Sequence, residues 1–402
     1  MRRRIPPKGI AVAGLLAVVA LTCLHAAPAA PPSMADADRL FEQKNYAEAA
    51  DAYGALVAAG GADWHLAAER VIMSRLRLQS YDEAITAAED YVVRTAGMRL
   101  EPHAERLAGH LYMLLPHWGT RAGGEFYRGE HRQGTFLQSH QHDKRLAVAH
   151  MERARDLYAQ HDDGTDPAWR EERIECLFDL VSLLSQFSIY DDQPQYWHRW
   201  WGERDGFLAV TAGEDDFDEG YSYGDMHRKR PIGLRIGPDG EPVFPSLPKD
   251  YTDQTPADQK MLYLLDEVRR LDRTEERKHT ALSYYRQAML ARKRFGMDRL
   301  RSYASPYYSA TGSARSSGQP LNSGQPLQEE LDSFNPWELE DGEALVLAGG
   351  RICKVELPPA FDVLGLLRTV AGDYAAGGVA PEARYAIGLY CQSRQQYTQA
   401  LA

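Results

Sequence analysis

The sequence predicts a mostly α protein: helical hairpins repeated as in an α-solenoid, with two small β-hairpin insertions and a disordered linker. Three observations carry this. Apolar residues recur at helical spacing over most of the chain. A tyrosine–alanine pattern returns after about one helical hairpin's length. Two β-branched runs flank turn residues, and one Ser/Gly/Pro/Gln stretch has almost nothing to bury.

The N-terminus, "MRRRIPPKG", is cationic and is followed by the fifteen apolar residues "IAVAGLLAVVALTCL" and the small-residue zone "AAPAA". This order predicts a signal peptide over residues 1–29, cleaved after Ala27-Pro28-Ala29, and export to the periplasm or medium. Fifteen apolar residues fall short of the roughly 20 that a helical span needs, so an uncleaved N-terminal anchor is the alternative reading and no span is expected after cleavage. Cys23 lacks the small preceding residue of a lipidation site.

At 402 residues, 44% apolar and 26% charged, the composition is that of a folded chain. Removing Arg2, Arg3, Arg4 and Lys8 with the leader takes the net charge from −11 to −15. Such acidity argues against a nucleic-acid partner, whose phosphates need clustered Lys and Arg. Of four cysteines, Cys176, Cys353 and Cys391 remain after cleavage. Three over this length make no disulfide framework, so the fold must rest on packing.

Residues 34–116 read as helical hairpins. "NYAEAADAYGAL" (45–56) aligns with "SYDEAITAAEDYV" (80–92), Tyr46 over Tyr81, each followed at the third position by Ala49 or Ala84. Residues 360–402 end in the same pattern, with Tyr397, Ala400 and Leu401. Nine residues before each tyrosine stand Ala37, Ile72 and Gly388, two of them small, as close helix crossing requires. Residues 117–256 read as an irregular helical region. In it Ala147, Met151, Ala154 and Tyr158 form one stripe, Ile174, Leu177, Val181 and Leu184 another, and "IGLRIGPDGEPVF" (232–244) makes the first β-hairpin. Residues 257–303 read as a further helical hairpin, with Gly296 as a C-cap. A flexible linker is expected over 304–335, centred on "SATGSARSSGQPLNSGQPLQ" (309–328), and should be disordered and cleaved first by proteases. The second β-hairpin lies in 336–359, turning at Gly349-Gly350. The last repeat reads as incomplete, because a full second helix would run about 13 residues beyond its start.

The Tyr-x-x-Ala units at this spacing resemble the tetratricopeptide repeat. The resemblance implies an α-solenoid that binds a protein or peptide in a concave groove. For the second copy it puts Glu69, Met73, Leu76 and Arg77 on the groove side. The copies depart from the family in lacking a terminal proline and in carrying the large Ile72. The order of "LPHWGTRAGGEFYRG", "AVTAGEDDFDEGYSYGD", "LDRTEERKHTAL" and "WELEDGEALVLAGG" is also similar to the helical N-terminal region of large exported bacterial proteins of the alpha-2-macroglobulin type. That family's Cys-Gly-Glu-Gln thioester is absent, since Cys391 is followed by Gln392-Ser393-Arg394. No protease-trapping activity follows.

Candidate chemistry is sparse. "HQHD" (140–143) offers two histidines and an acid, but Lys144 and Arg145 stand where further ligands belong, so a solvated loop is expected and no metal. "GEDDFDEG" (213–220) puts Phe217 at a position where an EF-hand needs oxygen, so pairing with "HRKR" (227–230) is expected instead. "GTRAGGEF" (119–126) lacks the Lys-Ser/Thr end of a phosphate loop. No catalytic motif and no cofactor site is found, and a non-catalytic scaffold is expected. The alternative is a cell-envelope hydrolase acting on carbohydrate through Trp197, Trp200 and Trp201 with acids between Asp205 and Asp218.

Overall fold

A computed structural model describes residues 32–129, 133–186, 234–252, 255–304 and 325–401. The protein is mostly helical with two small antiparallel sheets, and it divides into two compact units, Met1–Tyr91 and Val92–Ala402. The expected signal peptide and the linker's centre, 305–324, lie outside the described residues. No helix among the described residues is long and apolar enough to cross a membrane.

The first unit is built from α1 (Met34–Glu42), α2 (Tyr46–Ala59), α3 (Trp64–Arg77) and the start of α4 (Tyr81–Thr95). Ser33 caps α1: its Oγ accepts from the Asp36 amide and donates to the Asp36 carboxylate. Ala37, Ala49, Tyr53 and Ala67 are fully buried together, with Met34, Leu40, Phe41 and Val71 packed around them. Alanines at the contact let the helix axes approach, and Tyr53 fills the space this leaves beside them.

Two turns in this unit share one backbone. Lys44 and Gln79 sit in the left-handed region with φ of 63° and 61°. The following amides, Asn45 and Ser80, reach back to the carbonyls of Leu40 and Arg75. These are Schellman closures, in which a residue at positive φ lets two late amides satisfy the helix's last carbonyls. A third turn of the same form joins α13 (Ala380–Ser393) to α14 (Tyr397–Leu401) in the second unit. There Gln395 has φ 61° and the Gln396 amide bonds the Cys391 carbonyl.

The second unit opens with α5 (Glu101–Leu114). The region expected to be irregular and helical after it begins instead with a three-stranded sheet, β1 (Trp118–Ala122), β2 (Glu125–Arg128) and β3 (Thr135–Gln138), in the order β2-β1-β3. Gly123-Gly124 turns β1 into β2 with both φ positive, as a two-residue hairpin loop demands. α6 (His140–Gln160) and α7 (Pro167–Gln186) follow. Gly109 brings α5 against α6: a Cβ there would stand 2.7 Å from Met151 Cγ. Both sequence stripes of this region face the core, Ala147, Met151, Ala154 and Tyr158 on α6 and Ile174, Leu177, Val181 and Leu184 on α7.

α8 (Ala257–Leu271) and α9 (Lys278–Phe295) are consecutive helices that pack against each other. Gly296 does end α9, but at φ −76° in extended rather than left-handed backbone. α10 (Met297–Ala304) precedes the undescribed linker centre, and α11 (Gln325–Asp332) occupies the linker's far end. The second sheet pairs β4 (Glu343–Ala348) with β5 (Arg351–Glu356) through Gly349-Gly350. The first expected hairpin is present only as isolated bridges. Its turn, Gly237 to Gly240, is closed by a backbone bond, and Leu234 pairs in parallel with β4. α12 (Val363–Gly372) packs between α9 and α13.

Candidate functional site

The four residues expected on a groove lie on α3, at positions i, i+4, i+7 and i+8, and so share one side of that helix. Glu69, Met73 and Leu76 are half-buried and Arg77 is exposed. The other side of α3, Ala67, Ala68 and Ile72, is buried in the unit's core. The Arg70 guanidinium lies 5.5 Å from the Phe41 ring, and Arg75 reaches Glu83 at 2.8 Å. The Tyr53 hydroxyl donates to Asp38 at 2.6 Å, and burial together with that carboxylate holds its phenol protonated far above neutrality.

The His-x-His stretch is not a solvated loop. It is the first turn of α6, and its Asp143 is completely buried. The physical reason is a set of partners from the sheet, which sequence spacing did not suggest. Arg128 at the end of β2 meets both oxygens of Asp143, at 2.7 and 2.8 Å. Ser139 donates at 2.7 Å, and His117 Nδ1 stands 2.9 Å away. Burial alone would push this carboxyl's pKa up, but bonds from His117, Arg128 and Ser139 outweigh it and hold the pKa below the ordinary value. His140 stands edge-on to His117, with centroids 5.1 Å apart. Burial, then His117 and Lys144, pushes its pKa down to about 4, so its ring is neutral at neutral pH.

Asp143 therefore pins β1, β2 and α6 to one another, with its oxygens committed to Arg128, Ser139 and His117. No three His, Cys, Asp or Glu side chains are grouped to hold a metal among the described residues. Cys176, Cys353 and Cys391 are free thiols; burial pushes Cys176 up to about 12, which removes it as a nucleophile. One more buried carboxylate stands out. Asp258, in the first turn of α8, pairs with Arg294 through Oδ1, and burial raises its pKa to about 6 against the effect of that arginine.

The tryptophan-rich segment 196–207, the acidic run 213–220 and "HRKR" at 227–230 lie outside the described residues. No family model matches the sequence, and comparison with curated proteins finds no match.

Proposed function

We propose that this chain is an exported, non-catalytic scaffold of the tetratricopeptide type, which binds an extended protein or peptide segment on the side of α3 that carries Glu69, Met73, Leu76 and Arg77. The observation that carries the reading is the threefold recurrence of one turn, at Lys44, Gln79 and Gln395, each two residues before the tyrosine of the repeat pattern. The nine-residue spacing back to Ala37, Ile72 and Gly388 supports it. Ala37 and Ile72 are buried, and a Cβ on Gly388 would stand 3.3 Å from the Ala400 carbonyl. A helix that commits one side to a core of alanines leaves its other side available to a partner. These hairpins are acidic: residues 32–91 carry eleven Asp and Glu against five Lys and Arg. A cationic or neutral extended segment is the favoured partner class. The resemblance to the helical regions of exported alpha-2-macroglobulin-type proteins points to the same kind of role.

The test is peptide selection on the mature chain, followed by Met73→Glu and Leu76→Glu. Selected peptides should bind to the wild type and lose affinity by roughly tenfold or more in either variant, because a buried apolar contact is replaced by a charge. Peptides unaffected by both substitutions would show that this side of α3 is not the binding surface. Export is tested separately by fusing residues 1–40 to a reporter that is active only outside the cytoplasm.

A further inference from the structure

The third copy of the repeated turn differs from the first two in what flanks its left-handed residue. Around Lys44 and Gln79 the flanking side chains are Gln43 and Asn45, and Leu78 and Ser80, which face solvent to varying degrees. Around Gln395 they are Arg394 and Gln396, and both are buried. Their donors converge on one short stretch of main chain. Arg394 Nη2 donates to the Glu340 carbonyl at 2.6 Å, and Gln396 Nε2 to the Leu339 carbonyl at 2.7 Å. Longer contacts of 3.5 Å reach the carbonyls of Asp341 and Trp337. The side chains of Trp337, Glu338, Glu340 and Asp341 are exposed, and Leu339 alone of the five is buried.

We propose that the turn between α13 and α14 is a main-chain clamp, and that residues 337–341 occupy it as a strap in cis. The strap leaves the single 3-10 turn Pro336–Glu338 and runs on extended from Leu339, and the chemistry is that of peptide recognition through the main chain. Carbonyls are read by fixed donors, one apolar side chain is seated, and the side chains of Trp337, Glu338 and Glu340 are left outside the clamp. A guanidinium and a primary amide suit this task, because both present several N–H groups in a plane. The Arg394 guanidinium is itself held against the Tyr390 ring, with 5.5 Å to the centroid, so the donor is in place before the strap arrives. The strap leads directly into β4, so the clamp fixes the C-terminal hairpin to the start of the second sheet. A second tie, between Asp341 and Arg368, uses a side chain and is exposed at both ends. The clamp thus fits a segment that leaves a single turn with its carbonyls toward Arg394 and Gln396 and seats one apolar residue in the position of Leu339.

Hydrogen exchange on the full chain tests this. Gln396→Glu keeps the shape of the side chain and replaces the Nε2 donor by an acceptor; Arg394→Met removes the other donor. The Glu338, Leu339 and Glu340 amides are bonded locally, to the Asn335 and Pro336 carbonyls and the Glu343 carboxylate, and so short a turn holds only while the clamp holds its carbonyls; each variant should speed their exchange by roughly tenfold or more. The amides of α6 and α7 should keep their protection. The triple variant Trp337→Ala, Glu338→Ala, Glu340→Ala should leave strap exchange within about threefold of wild type, because those side chains are unread. The proposal falls if the triple variant releases the strap as fully as Gln396→Glu does. It also falls if the clamp variants leave the strap protected, or loosen α6 and α7 to the same degree.

Discussion

The two units are held together by different physics. In the first unit the core is alanine, tyrosine and a few aliphatics, and the charges sit outside: Arg39–Asp36 and Arg75–Glu83 are surface pairs. In the second unit charges go inside. Arg128–Asp143, Arg173 with Asp162 and Glu267, and Lys260–Glu152 are all largely buried, and Tyr251 adds its hydroxyl to Glu152 at 2.6 Å. Surface pairs contribute little, about 0–1 kcal/mol each, whereas a buried pair costs several kcal/mol when one partner is removed. A packing core and a polar core should therefore fail under different substitutions and at different pH.

The largest effect is expected at Asp143. Asp143→Ala leaves Arg128 buried without its carboxylate and should destabilise the second unit by about 3–5 kcal/mol. Arg39→Ala in the first unit should stay within about 1 kcal/mol. Denaturant unfolding of the two variants measures the contrast. A small loss at Asp143 would mean that the buried network does not hold the sheet to α6.

The next effect reverses the roles. Ala49 is fully buried where two helices cross in the first unit, and Ala49→Leu should cost about 1–3 kcal/mol by overpacking. Ala47→Leu, on an exposed position of the same helix, should be within about 0.5 kcal/mol. Equal losses at the two positions would show that the helices do not approach closely there.

The packing elements were legible in the sequence and the buried charges were not, and the failures have a common cause. The stripes on α6 and α7 and the tyrosine–alanine spacing depend on local periodicity, which a sequence displays directly. The Gly123-Gly124 hairpin carried the same signal as Gly349-Gly350, an Ala-Gly-Gly followed by a charged residue, and was read only in the second case. There the β-branched runs on both sides made the strands evident; Trp118–Ala122 and Glu125–Arg128 have almost none. Asp143 was misjudged because its burial depends on Arg128 and His117, brought to it by the sheet across 15 and 26 residues. A charge is read as solvated until its partner is found, and distant partners leave no periodic trace. The left-handed Lys44, Gln79 and Gln395 were equally hidden, since glycine is the residue that announces such a cap.

The pH response separates two carboxylates within the polar core itself. Asp143 has a folded pKa below its ordinary value, so its contribution to stability is present at neutral pH and is lost as pH falls through the acid range below about 4. Asp258 has the opposite sign. Its folded pKa of about 6 lies above the ordinary 3.8, so the folded state binds the proton more tightly than the unfolded one. Its effect is to raise stability as pH falls from about 7 through 6, levelling off near 4. Asp258→Asn should flatten that part of the profile while leaving the acid limb intact. Denaturation midpoints at pH 7, 6, 5 and 3.5 for both chains test this; an unchanged slope between pH 7 and 5 in the variant would remove Asp258 from the account.

The smallest effect is the one that compares the three turns most cleanly. Lys44, Gln79 and Gln395 have nearly the same φ and are all exposed, so replacing each by glycine changes the backbone preference and almost nothing else. Glycine relieves the strain of a Cβ in the left-handed region but loses more freedom on folding. At a helix C′ position the relief dominates, and each substitution should stabilise its unit by about 0.5–1 kcal/mol. The gain should be equal at positions 44 and 79. At 395 the neighbours Arg394 and Gln396 are tied to the strap, and these bonds hold the turn in its present form. Gln395→Gly should therefore gain as much in stability, and in addition should keep its strap amides as protected as in the wild type. Loss of strap protection in that variant would mean that the clamp depends on the stiffness of the glutamine backbone rather than on the donors beside it.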